Sequence, residues 1–154
     1  MTYAIFNLTE HTQLSIRGTT GTHPDSEFVF GVYIGSQEHY ADEFGKATMP
    51  DMHAYDDADW SKAVELAKWV LDAEYKNHFG YIGHNITNNS VAKCVWYSDD
   101  EDLKLHIQIS LINGPFSGGV EDICEWSRAV EMAKWILEQD EWIQKAIARE
   151  KNEV

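Results

Sequence analysis

The sequence predicts an α+β protein built from two β-β-β-α repeats, an internal duplication folded about a pseudo-twofold axis, with an antiparallel sheet and two helices on one face. Three observations predict it. Residues 60–71, WSKAVELAKWVL, recur at 126–137 as WSRAVEMAKWIL, without gaps and at an offset of 66. Apolar residues in both stretches return at the helical period. Upstream of each, the period falls to two, as in half-buried strands. Unrelated amphipathic helices would share a period, but not paired tryptophans with a common Glu and Lys, so the match reads as duplication.

In chain order, 2–8 (TYAIFNL), 12–18 (TQLSIRG) and 27–34 (EFVFGVYI) read as the strands of the first repeat. A long connection over 35–55 follows, without a counterpart of equal length. Asp56 and Asp59 precede the first helix, and Asp122 and Glu125 the second. Short acidic residues there resemble N-caps and capping-box partners, and negative charge suits a helix N-terminus. The second repeat offers 80–87 (GYIGHNIT), 91–98 (VAKCVWYS) and 103–111 (LKLHIQISL), the last two forming a hairpin across the acidic turn DDED. In 103–111, Leu103, Leu105, Ile107, Ile109 and Leu111 face one way, and Lys104, His106, Gln108 and Ser110 the other. The repeats are bounded at 1–77 and 78–154. Either alone would bury little apolar area; packed about a shared axis, they form one compact domain, with a continuous sheet or two abutting three-stranded ones.

Charge narrows the partners. The chain holds 26 acidic against 12 basic residues, a formal net charge of −14. Residues 1–77 carry 13 acidic and 5 basic, or −8, and residues 78–154 carry 13 and 7, or −6. Such a field repels nucleic acid and anionic membranes and speeds encounter with basic surfaces, although many soluble proteins are acidic for solubility alone. No apolar run approaches the roughly 20 residues of a membrane span, and the start, Met1 to Leu8, lacks a secretory pattern, so a cytoplasmic protein is expected. Cys94 and Cys124 lack CxxC spacing and read as small core hydrophobes.

A search for chemistry returns no cofactor motif and no metal-ligand set. His53 with Asp51, Asp56 and Asp57 suits a solvated turn better than a cation site, and DDAD lacks the glycine and spacing of a calcium loop. The Gly-rich NGPFSGG (113–119) lacks the Lys-Ser/Thr ending of a phosphate loop and runs into carboxylates. No GxSxG or HExxH occurs, and the repeats share no histidine motif.

The tryptophans pose a sharper question. In the first helix Trp60, Ala63, Val64, Ala67, Val70 and Leu71 form the core stripe, while Trp69 falls about 180° from Trp60, among Lys62, Glu65 and Asp72. Trp135 repeats this among Arg128, Glu131 and Glu138, and Trp142 follows seven residues on. Aromatics ringed by charge resemble interface anchors. The tryptophans therefore join two surfaces, and both surfaces can belong to this chain or one can belong to a partner. The leading expectation is a non-enzymatic acidic binding or inhibitor protein that engages a basic partner protein, such as a nucleic-acid enzyme or toxin. It would be of the immunity-protein, phage-inhibitor or nucleic-acid-mimic type, using Trp69, Trp135, Trp142, Glu65, Glu131, Asp72 and Glu138. The alternative is a small-ligand or nucleotide binder, or a hydrolase, with Lys104, His106, Trp96 and Tyr97 lining a cleft between the repeats. A third reading makes the tryptophan face a homodimer contact.

Overall fold

The computed structural model describes residues 2–18, 28–35, 54–76, 82–97, 102–111 and 118–152. The duplication and the α+β class are observed, with one strand more per repeat than the periodicity predicted. The first repeat runs β1 (Thr2–Asn7), β2 (Thr12–Gly18), β3 (Phe28–Ile34), β4 (Ala54–Asp59) and α1 (Trp60–Lys76). The second runs β5 (Ile82–Asn85), β6 (Ser90–Tyr97), β7 (Asp102–Leu111), β8 (Gly118–Glu125) and α2 (Trp126–Asn152). Each set of strands is a separate antiparallel meander, in the orders β1-β2-β3-β4 and β5-β6-β7-β8.

The added strands occupy the acidic stretches before the helices. Val32 pairs with Asp56 and Phe30 with Ala58, while Ile107 pairs with Asp122 and Leu105 with Cys124. The last carboxylate of the first stretch acts as a cap: Asp59 Oδ2 accepts from Ser61 N at 3.2 Å and from Ser61 Oγ at 2.6 Å. Its counterpart Glu125 ion-pairs with Lys104 at 3.4 Å. Asp56 and Asp122, expected as caps, sit on the inner faces of their sheets and reach across the molecule.

Their targets are the β1–β2 and β5–β6 turns. Thr9 Oγ1 and Thr12 Oγ1 both donate to Asp122 Oδ2, the second at 2.5 Å. Thr87 Oγ1 and Ser90 Oγ both donate to Asp56 Oδ2, the second at 2.6 Å. The turns themselves are alike. Leu8 N donates to Thr12 O and Ile86 N to Ser90 O, both at 2.9 Å. The threonine hydroxyl of each turn also accepts from two backbone amides, at 3.0 and 3.0 Å for Thr9 and at 2.9 and 3.1 Å for Thr87. Each repeat thus holds the other's first turn with a carboxylate, the reciprocity a pseudo-twofold axis requires.

Between the two latches lies one apolar core fed by both halves. Leu14, Ile16, Phe30 and Ile34 of the first sheet, Leu105, Ile107 and Ile109 of the second, and Leu66, Met132 and Ile136 of the helices are all buried in it. The helices pack on each other, α1 also meeting β3, β4 and β5, and α2 meeting β7 and β8. No helix among the described residues is long and apolar enough to cross a membrane.

Removing a latch carboxylate leaves two hydroxyls without their acceptor in a partly buried seam. Asp122→Ala and Asp56→Ala should each lower the unfolding free energy by about 1.5–3 kcal/mol, the range for hydrogen bonds to a charged group. Urea denaturation monitored by circular dichroism measures it; a loss below about 0.5 kcal/mol, the scatter of surface substitutions, would make the latch incidental.

Candidate functional site

Helix α2 carries Arg128, Trp135 and Trp142 at heptad spacing, a stripe that returns to one side about every 10.5 Å at 1.5 Å rise per residue. Three strand residues span about 10 Å. The two spacings match for the step from Trp135 on Phe6 to Trp142 on Tyr3, and α2 runs along β1 of the opposite repeat in reverse sense. Arg128 Nε donates to Leu8 O at 3.2 Å and its Nη2 donates to Asn7 O. The Arg128 guanidinium stands 4.4 Å over the Phe6 ring, and Trp135 packs on that ring at 5.3 Å between centroids. Trp142 meets Tyr3 at 6.0 Å and Phe28 at 5.6 Å.

The first repeat returns the gesture in shorter form. Trp69, the counterpart of Trp135, stacks on His84 of β5 with centroids 5.5 Å apart and planes 22° from parallel, and meets Trp126 edge-on at 6.2 Å. His84 occupies the position of Phe6, since Phe6 pairs with Leu14 and His84 with Ala92 in equivalent registers. The indoles do look away from their own sheet, and what they look onto is the other repeat. Trp69 and Trp135 are half-buried and packed against the shared core, so for these two rings both joined surfaces belong to this chain. Trp142, at 36% exposure, keeps one side open.

The carboxylates expected around them are exposed but not concentrated. Glu65 and Asp72 alternate with Lys62 and Lys68 on α1, and Glu131 and Glu138 with Lys134 and Lys145 on α2. Lys62 pairs with Glu65 at 3.4 Å, and Arg128 with Glu131. The helical layer is therefore close to balanced, and the acid excess is carried elsewhere in the chain.

Lys104 and His106 lie on the outer face of the second sheet, opposite the buried Leu105 and Ile107, and so face away from the seam between the repeats. Their partners are β8 carboxylates: His106 Nε2 lies 2.8 Å from Glu121 Oε2, and Lys104 Nζ 3.4 Å from Glu125 Oε1. The side chains of Trp96 and Tyr97 lie outside the described residues, as do Asp51, His53 and the stretch 113–117. Among the described residues no three His, Cys, Asp or Glu side chains converge on a potential metal position.

One surface was not singled out from the sequence. Ile5, Tyr33 and Tyr55, exposed at 50%, 39% and 41%, stand on the outer face of the first sheet. Tyr33 pairs with Tyr55 and Ile5 with Ser15 across it. Tyr55 lies over Gly31, where an added Cβ would meet Tyr55 Oη at 2.7 Å and Ser15 Oγ at 2.6 Å. Arg17 completes the group, its Nη1 donating to Tyr55 Oη at 3.2 Å and its guanidinium 5.2 Å from the ring centroid. The available signal was the alternation of EFVFGVYI, in which Val29, Gly31 and Tyr33 share the face away from Phe30 and Val32. No protein-family model matches the chain, and comparison with curated proteins finds no match either.

Two measurements check this geometry. Trp135→Ala should cost about 2–3 kcal/mol of stability, below the 3–5 of a fully buried ring because part of it stays exposed. In a double-mutant cycle with Phe6→Ala the coupling should reach about 0.5–1.5 kcal/mol, whereas a coupling near zero would dissolve the clasp. Cys124 supplies the second. Burial first, and Asp122 second, push its thiol up to about 12. At pH 8 its alkylation should run about a thousandfold slower in the folded than in the unfolded chain, because so little thiolate forms.

Proposed function

We propose that this chain is an acidic binding protein that engages a basic surface on a partner protein through the outer face of its first sheet. The observation that carries the reading is the net charge of −14, divided −8 and −6 between the halves, which draws a cationic protein towards either side. What supports the choice of face is the disposition of the exposed aromatics. Trp69 and Trp135 are engaged within the chain, while Tyr33, Tyr55 and Ile5 present apolar area beside Arg17 and the carboxylates of β4. Tyrosine and arginine are enriched at protein contacts because one end of each is apolar and the other donates hydrogen bonds. The long-range field that steers the encounter comes from the acid excess outside the two helices, a rate effect that salt screens within about 8–10 Å.

The test is capture of a partner from lysate at low salt, identification by mass, and titration of the purified pair by calorimetry. Affinity should fall at least about tenfold between roughly 50 and 300 mM salt. Tyr33→Ala with Tyr55→Ala should weaken binding by more than about 2 kcal/mol, as truncation of anchor residues does. Binding indifferent to salt would remove the electrostatic reading, and binding indifferent to the tyrosines would move the contact to another face.

A further inference from the structure

Each of the two clasps that hold the repeats together sets a tryptophan on a ring of the other repeat's first strand, and the ring itself differs. In one, Trp135 packs on Phe6 at 5.3 Å; in the other, Trp69 stacks on His84 at 5.5 Å. Phenylalanine has a single protonation state, and histidine changes its charge close to neutral pH. The imidazole is held where a charge is poorly received. His84 Nε2 is buried without a hydrogen-bond partner among the described residues, and one flank of Trp69 is closed by the edge of Trp126. We propose that the Trp69–His84 pair is a proton-sensitive fastening between the repeats, closed with a neutral imidazole and loosened in mild acid, while the Phe6–Trp135 pair holds at either pH.

The groups that face His84 oppose each other. On α1, Glu65 favours a charged imidazole and Lys62 disfavours it, and these two side chains pair with each other at 3.4 Å. On β6 the residue opposite is Ala92, and α2 contributes the uncharged Trp126. An indole face offers a cation some attraction. Against it, a protonated Nε2 would be a donor enclosed without an acceptor, and the loss of hydration falls on the charged form. Burial is accordingly the largest influence, and it holds His84 below its ordinary value of 6.5. The sign follows from linkage. With the folded pKa depressed below the unfolded one, the unfolded chain binds the proton more readily. Stability is then complete above 6.5 and declines as pH falls from 6.5 towards the folded pKa.

The experiment compares the full-length protein with His84→Phe, which copies the sister clasp, and with Phe6→His, which copies this one. Urea unfolding is measured from pH 5 to 8, and the His84 ring is followed by NMR in the parent protein, its signal assigned by its absence in the variant. The proposal expects the ring to titrate below 6.5. It also expects the unfolding constant of the parent, relative to His84→Phe, to rise by up to about tenfold per pH unit on acidification within that window. Phe6→His should add a second dependence of the same sign. Titration at or above 6.5, or parallel profiles for the parent and His84→Phe, overturns it. If His84→Phe does not fold, His84→Gln and the NMR titration of the parent give the same decision.

Discussion

Neither repeat can cover itself, and the reciprocal clasp between them is the constraint from which the rest follows. Four short strands and one helix make a sheet with an apolar face wider than its own helix can shield. The remedy is exchange: each helix turns one stripe inward to the common core and a second stripe outward to the first strand of the other repeat. A carboxylate on the inner face of each fourth strand then fastens the first turn of the opposite sheet. An aspartate there is tolerable because each accepts from two hydroxyls, since a buried carboxylate lacking donors would cost several kcal/mol.

Within this symmetry the halves have diverged in what they attach. Helix α2 has 27 residues and α1 has 17, and where α1 ends on Lys76 α2 holds Trp142, which meets Tyr3 and Phe28. Helix α2 also holds Asp140, at the position of Glu74 in α1; Asp140 Oδ1 accepts from Trp60 Nε1 at 2.9 Å and from Gln144 Nε2 at 3.0 Å. Trp126 Nε1, the counterpart of the Trp60 nitrogen, is buried without a partner among the described residues. The contacts of α2 on the first repeat thus add a cation over an aromatic ring, two bonds to β1 carbonyls and an indole–carboxylate bond. Among the described residues, the first repeat receives more polar contacts from α2 than α1 gives to the second.

The helices were legible because nine identical residues in twelve leave little room for chance, and the strands around Leu14 and Leu105 because alternation is strong there. The fourth strands were not legible, for a physical reason. Their inner faces read Ala54, Asp56, Ala58 and Val120, Asp122, Cys124, so the positions that should announce burial hold small residues and an acid. A latch carboxylate resembles a helix cap when only its position before the helix is considered. The turns that receive these latches, LTEHT at 8–12 and ITNNS at 86–90, escaped an alignment held at offset 66. The equivalent offset is 78 through the first two strands and 75 in the third, by the registers. The outward direction of Trp69 and Trp135 was correctly periodic, but periodicity gives direction relative to the residue's own helix and says nothing about what stands in the way.

The edges show how such an assembly avoids joining further copies at random. Each open meander exposes two edges, and an unpaired edge invites strand addition. At β1 the Arg128 guanidinium takes the carbonyls of Asn7 and Leu8, and α2 lies alongside. β5 is only four residues long. β4 places Asp57 and Asp59 on its outward positions, and β8 places Glu121 and Glu125 on the equivalent side. Cover, brevity and like charge are three separate deterrents, and together they leave the broad outer faces of the sheets as the surfaces where contact costs least. Of these, the second is occupied by its own ladder of Lys104, His106, Glu121 and Glu125. The first carries Ile5, Tyr33 and Tyr55, with Arg17 bonded to the Tyr55 hydroxyl. Trp69 and Trp135 are spent on joining the repeats, whereas these aromatics are open to a partner, which is why the exposed face of the first sheet, and not the tryptophan stripe, bears the proposed binding role.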